Sequence, residues 1–317
     1  MSQSLIRLAI VIPCFNEEEV LLQSSNRFSE ILLDLQQNRV ISTDSFILLV
    51  DDGSIDNTWS IILKLAEKSI FKGIKLSKNN GHQFAVLAGL ETVRTMCDAA
   101  ISIDADLQDD VLVIKPMIEK YKAGCEIVYG VRKKRTKDSF FKRVSAHTLY
   151  RLMKIMGVNI VYNHADFRLA GSRVIDILSS YQESNLFLRG IFPDIGLKWD
   201  TVEYERDVRA AGKSKYTLKK MIAFALEGIT SFSIVPLRLV TLMGFLSFIA
   251  ALGMTGWFFI QTARGNVLHG WSSTIISIYF FGAIQLISLG LIGEYVGKIY
   301  KEVKKRPRYI IEKKFLK

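Results

Sequence analysis

With 317 residues, a formal net charge of +11 and 49% hydrophobic residues, the chain can hold one large domain plus an appendage, and it needs an acidic partner. The two properties segregate: the excess apolarity lies after Pro236, behind a stretch that reads as an ordinary globular α/β domain. Cys14, Cys97 and Cys125 lack CxxC spacing, which argues against a disulfide frame or zinc site and for reduced packing residues facing the cytosol.

The opening MSQSLIRLAIVIP carries too short an apolar run for a signal peptide and leads directly into a strand, so this domain is expected on the cytosolic side. Strand-like runs then alternate with helical patterns. RLAIVIP (7–13) precedes a helix reaching about Gln37, and SFILLV (45–50) precedes DDGS and a helix over 56–68. GIKLS (73–77) is followed by NNGH and a helix over 82–95; AAISID (99–104) by ADLQDD and a helix over 111–123; EIVYG (126–130) closes the series. This alternation predicts an α/β domain with a mostly parallel sheet and helices on both faces. Ligands of such sheets bind beyond the carboxyl ends of the strands, where PCFNEE, DDGS, NNGH and DADLQD all fall. The absence of GxGxxG after a strand and of GxxxxGK[ST] argues against dinucleotide-dependent redox chemistry and against a P-loop enzyme.

PCFNEE (13–18) ends a strand at Pro13 and places acids where a helix opens, which suits the helix dipole. In DDGS (51–54), Asp51 or Asp52 is placed to accept hydrogen bonds from a base or ribose; the competing reading is a turn plus helix cap, with Asp56 a second capping candidate. Gly53 permits a sharp turn. In DADLQD (104–109), alternate residues of an extended segment point the same way, so Asp104 and Asp106 can converge on one hard cation, Mg2+ or Mn2+, shared with a substrate phosphate. A helix cap by Asp109 or Asp110 is the plainer alternative for the rest of that loop.

Beyond the strands, VRKKRTKD (131–138) with Lys142 and Arg143 forms one candidate anion site, and RAAGKSKYTLKK (209–220) a second, in which Arg209, Lys213 and Lys215 clamp a diphosphate while Ser214 and Tyr216 donate hydrogen bonds. Solvated charge runs are the alternative for both. Asp166, beside Arg168 in NHADFRLAGSR (163–173), reads as a salt bridge or a catalytic base at the active site. His82, His147, His164 and His269 share no ligand spacing. Segments 139–157 and 217–232 have the pattern of basic amphipathic helices lying at a membrane surface, the alternative being solvated surface helices with a core-facing stripe. Leu239–Thr262 and Gly265–Gly293 contain no charged residue, and each exceeds the roughly 20 residues that span a bilayer. Lys219, Lys220 and Arg238 before them, and Lys298, Lys301, Lys304, Lys305, Arg306 and Arg308 after them, place both flanks in the cytosol, with a short external turn carrying Arg264. Because the basic residues border these membrane segments, nucleic acid is not the expected partner.

Together these motifs resemble glycosyltransferase family 2, specifically the polyprenyl-phosphate glycosyltransferases that include dolichol-phosphate-mannose synthases. The matching stretches are IPCFNEE (12–18), VDDGS (50–54), NNGH (79–82), DADLQD (104–109), GVR (130–132), DFRL (166–169), AGKSKY (211–216) and GEYVGKIYKEVKKRPRY (293–309), the last like two-span bacterial members that glucosylate bactoprenyl phosphate. The resemblance implies a GT-A (Rossmann-like) fold and inverting transfer of a single sugar, glucose from UDP-glucose, to polyprenyl (undecaprenyl) phosphate. GDP-mannose or UDP-amino-arabinose donors, or a non-catalytic membrane scaffold, stay open. It places Pro13, Asn16, Glu17 and Asp52 at the nucleotide, Asp104 and Asp106 on the metal diphosphate, and Gln108 near the sugar. It places Arg132, Arg143 and Ser145 on the lipid phosphate, and Arg209, Lys213 and Ser214 closing over the donor. Catalysis is expected from Asp106, Gln108 and Asp166. The expected organisation is a cytosolic catalytic domain over 1–212, a juxtamembrane amphipathic segment over 213–235, two transmembrane helices over 236–295 and a basic cytosolic tail over 296–317, assembled as a homotetramer in the cell membrane with both termini cytosolic.

Overall fold

The computed structural model describes residues 5–133, 164–183, 186–205, 233–264 and 270–316. The amphipathic segments 139–157 and 217–232 lie outside them, as do Arg143, Ser145, Arg209, Lys213 and Ser214.

Strands β1 (Leu8–Cys14), β2 (Phe46–Asp51), β3 (Phe71–Leu76) and β4 (Ala99–Ser102) pair in parallel in the order β4-β1-β2-β3. β1 and β2 are buried along their whole length, as strands covered on both faces must be. Alternation divides β1 between two cores. Leu8, Ile10 and Ile12 meet helices α1 (Leu21–Gln37), α2 (Thr58–Leu65) and α4 (Ile114–Lys122), while Ala9 and Val11 join the core with α3 (His82–Val93). α3 lies so close to the sheet that a Cβ on Gly89 would come 2.3 Å from Val11 Cγ1, so only glycine fits there.

The sheet is mixed. β5 (Ile127–Arg132) does not extend the parallel set directly; β6 (His164–Gly171) inserts between β4 and β5, antiparallel to both, and β7 (Trp199–Tyr204) runs parallel to β5 at the far edge. Helices α5 (Ser172–Ser180) and α6 (Leu188–Asp194) cover β6 on the α3 side. The 296–317 segment is not a plain tail: Ile311–Phe315 forms β8, antiparallel to β3 at the other edge of the sheet.

In chain order, two long helices come between β7 and β8: α7 (Val235–Ala263) and α8 (Trp271–Val303). Their segments Val235–Met254 and Phe280–Val303 have mean hydropathies of 1.9 and 1.4 and are long enough to cross a membrane. None of either segment is buried inside the protein, so neither is a core helix of the α/β domain. At 33 residues α8 measures about 50 Å, longer than the ~30 Å hydrocarbon layer. Lys298 and Lys301 fall in its last turns.

Candidate active site

The loops after β1, β2, β3 and β4 meet at one end of the sheet, each braced by its neighbours. Asn16, in the left-handed region at φ 54°, donates from its backbone to Ser54 Oγ at 3.0 Å and accepts from Ile55 N at 3.0 Å. Glu17 N donates to Thr58 Oγ1, and Glu18 Oε2 accepts from Asn57. The acids of PCFNEE therefore precede the first turn of α1, which begins at Leu21, and lace the first loop to the second. Pro13 sits within β1 opposite Val50.

Asp52, expected at the base or ribose, uses both oxygens on the chain: Oδ1 accepts from Asn80 N at 2.8 Å and Oδ2 from Gly81 N at 2.9 Å. It braces the NNGH loop against the end of β2. Burial pushes its carboxyl above the ordinary value, and these two backbone donors oppose the rise. Gly53 makes the junction possible. At φ 68° it occupies a region that L side chains avoid, and a Cβ there would come 2.4 Å from the Lys78 carbonyl carbon. Gly53→Ala is expected to destabilise the protein by about 1–3 kcal/mol. Thermal unfolding checks this, and an unchanged midpoint would contradict the packing argument.

Asp104 and Asp106 do not lie in strand geometry. β4 ends at Ser102, and the following residues turn, with Leu107 at φ 54°. Asp106 adds to the charge repulsion at Asp104, and a turn rather than strand alternation sets the two carboxylates. Gln108 is buried and donates its backbone N–H to Asp106 Oδ1 at 3.2 Å. Of the two acids proposed as caps, Asp110 caps the next turn through Leu112 N, while Asp109 Oδ1 accepts from Arg132 at 3.1 Å and from Tyr204 Oη at 2.5 Å. Arg132 is thus neutralised within the protein and does not stand as an uncompensated cation for the lipid phosphate; that charge pair raises its pKa against the opposing effect of burial.

Asp166, on β6, completes the cluster. Its Oδ1 accepts from Arg168 at 2.6 Å and from Arg189 Nε at 3.2 Å, and its Oδ2 accepts from Arg189 at 2.9 Å. Burial works against its charge, but the Arg189 and Arg168 guanidiniums hold the carboxyl well below the usual carboxylate range. A carboxylate so stabilised is a poor proton acceptor, so the base reading of Asp166 gives way to an anchoring one.

Two participants escaped the sequence patterns. His82, the first residue of α3, places Nε2 3.5 Å from Asp104 Oδ1 and 3.8 Å from Asp166 Oδ2, bridging acids that arise from different strands. NNGH at a strand end marked its loop, but isolated histidine spacing gave no hint of its partners. Arg189 had no local signal: α6 brings it in, held by Leu188 N donating to Gln83 Oε1 at 2.7 Å.

Burial raises the Asp104 carboxyl; His82 opposes this, and Asp166, Asp109 and Asp106 add to it. Three carboxylates thus repel a side chain that is still 35% exposed. Among the described residues no three His, Cys, Asp or Glu side chains are grouped to hold a metal alone. Two carboxylates nevertheless fit a hard divalent cation of the Mg2+ type, which takes few protein ligands and fills its shell with phosphate oxygens and water.

A family model described as glycosyl transferase family 2 matches residues 9–179, and one described as the GtrB C-terminal hairpin matches 235–299. The chain is 52% identical over 314 residues to the uncharacterized glycosyltransferase YkoT of Bacillus subtilis, covering 98% of this chain and 93% of that protein. It is 40% identical over 313 residues to the SfII prophage-derived bactoprenol glucosyl transferase of Shigella flexneri, covering 97% and 98% of the two. Among solved structures, the mannosyltransferase PcManGT of Pyrobaculum calidifontis, in complex with GDP-Man and Mn2+, aligns over 96% of this chain and 89% of its own with a TM-score of 0.51. At 12% identity this likeness shows the fold alone.

Proposed function

The chain belongs to glycosyltransferase family 2, and on that premise we propose that it transfers one glucosyl residue, with inversion, from UDP-glucose to polyprenyl (undecaprenyl) phosphate at the cytosolic face of the cell membrane. The observation that carries the proposal is a carboxylate cluster at the strand ends, Asp104 with Asp106 and Asp166, in the same chain as two exposed apolar helices. The bactoprenol glucosyl transferase named above, similar over nearly its whole length, supports the acceptor class.

The acceptor is a phosphate monoester with a second pKa of about 6, so at neutral pH it already carries the charge of a nucleophile. A strong base is unnecessary, consistent with an Asp166 locked in ion pairs. A Mg2+ or Mn2+ ion held by Asp104 and Asp106 would neutralise the departing diphosphate. The chain's own work is positioning: the braced loops carrying Asn16, Glu17 and Asp52 receive the nucleotide, and His82 and Gln108 border the sugar. Arg132, Arg143 and Ser145 are assigned to the acceptor phosphate, and Arg209, Lys213 and Ser214 to the donor. In this assignment Arg132 shares its charge with Asp109.

Full-length protein in liposomes containing undecaprenyl phosphate is to be incubated with radiolabelled UDP-glucose, GDP-mannose or UDP-4-amino-arabinose. Organic-extractable label from UDP-glucose is the expected result, and label from another donor alone would change the sugar assignment. No lipid-linked label from any donor would overturn the proposal in favour of a scaffold.

A further inference from the structure

The segment that follows α8 returns to the catalytic domain and grips both elements flanking the NNGH loop. On the strand side, β8 pairs with β3, and Ser77 N donates to Ile310 O at 2.9 Å immediately before the loop. On the helix side, Arg308 donates to Glu91 Oε1 of α3 at 2.6 Å and to the carbonyl of Tyr181, and the Tyr309 hydroxyl donates to Glu91 Oε2. Tyr309 and Ile311 also pack against the core that α3 shares with the sheet. The other end of α3 is His82, at the carboxylate cluster. Only residues 304–307 separate the end of α8 from Arg308, a stretch that reaches at most about 14 Å. At the same end of the hairpin, the Tyr295 hydroxyl of α8 donates to Ser233 O just before α7, tying the two apolar helices together.

We propose that Arg308–Phe315 is a strap that carries the position of the membrane helix into the active site, with Arg308 and Tyr309 as positioning residues that hold the NNGH loop and His82 in register with a phosphate presented at the bilayer surface. The inference rests on the polyprenyl-phosphate acceptor proposed above. The contacts have a structural value of their own, since β8 covers what is otherwise an open sheet edge. Edge protection alone, however, requires neither the partly buried Arg308–Glu91 pair, 16% and 20% exposed, nor the Tyr309 hydroxyl on the same carboxylate. Those contacts fix α3 rather than the strand. A short linker, a gripped helix and a histidine beside the carboxylate cluster at its tip form a continuous path along α3, about 14 Å from Glu91 to His82 at 1.5 Å per residue.

The strap predicts a loss that depends on how the acceptor is presented. Full-length Arg308→Ala and Tyr309→Phe proteins are to be compared with the parent on undecaprenyl phosphate in liposomes and on water-soluble citronellyl phosphate. Transfer to the bilayer acceptor is expected to fall about tenfold to a hundredfold, because small misplacements at a distance disturb reacting geometry, while transfer to the soluble acceptor changes little. Amide hydrogen exchange at 77–82 is expected to rise about fivefold in Tyr309→Phe, the equivalent of one hydrogen bond, with β1 unaffected. Arg308→Lys is expected to recover part of the bilayer activity. Equal losses on both acceptors, or unchanged exchange at 77–82 in Tyr309→Phe, would overturn the strap. A parent protein inactive on both acceptors would overturn the acceptor reading instead, and exchange at 77–82 would still decide whether the strap holds the loop.

Discussion

Asp104→Ala and Asp106→Ala are each expected to lower sugar transfer by about a thousandfold, the equivalent of the several kcal/mol that a catalytic cation contributes to developing charge. Of the other carboxylates nearby, Asp166 is paired with Arg168 and Arg189, and Asp109 with Arg132. Asp104 sits among them with its carboxyl raised by burial, against His82 and with the added repulsion of Asp166, Asp109 and Asp106. An acid whose folded pKa is raised resists ionisation in the folded state, so at neutral pH its charge works against stability. Removing it is therefore expected to leave the thermal midpoint unchanged or higher, and membrane insertion intact. Loss of activity with retained stability is the signature of a site built to hold an external positive charge. Mn2+ titration in the presence of UDP should weaken in parallel, and turnover within tenfold of the parent would remove the two acids from the metal role.

The strand ends were legible because PCFNEE and DDGS each follow five apolar residues, NNGH and DADLQD follow shorter mixed apolar stretches, and a parallel sheet collects such ends at one rim. The local geometry of Asp104 and Asp106 was not legible, since the backbone turns after Ser102 and the strand-alternation argument applies only to extended chain. β6 was hidden by its own function. HADFRLAG carries an aspartate and an arginine that a strand pattern counts as polar, yet Arg168 is 1% exposed, paired with Asp166 and stacked 4.5 Å over Phe192. β8 was hidden for the opposite reason. IEKKF exposes its three charged residues as an edge strand does, so in sequence it merges with the basic run before it. Arg189 was invisible because its place depends on α6 docking on α3 through Gln83, a contact between residues more than a hundred positions apart.

Asp166→Ala is expected to destabilise the protein by about 3–5 kcal/mol, because it leaves the buried Arg168 guanidinium without its countercharge. In a domain of this size that corresponds to a fall of about 10 °C in the thermal midpoint. Arg168 cannot escape to solvent: its Nη1 faces Leu188 O and its plane lies against Phe192. Asp166→Asn should fall between alanine and the parent, since an amide retains one acceptor oxygen but not the charge. The pH dependence follows from the depressed Asp166 carboxyl. A carboxylate with a lowered folded pKa contributes stability that is fully present above its unfolded value of about 3.9 and is lost as pH falls through the folded value. The difference between parent and Asp166→Ala should therefore be flat from pH 8 to 5 and shrink only below about pH 4. Unfolding midpoints in detergent across that range test both claims, and a difference that grew on acidification would mean that Asp166 is not held ionised. A carboxylate held ionised by two guanidiniums is in the form that accepts a proton, but it is a weak base.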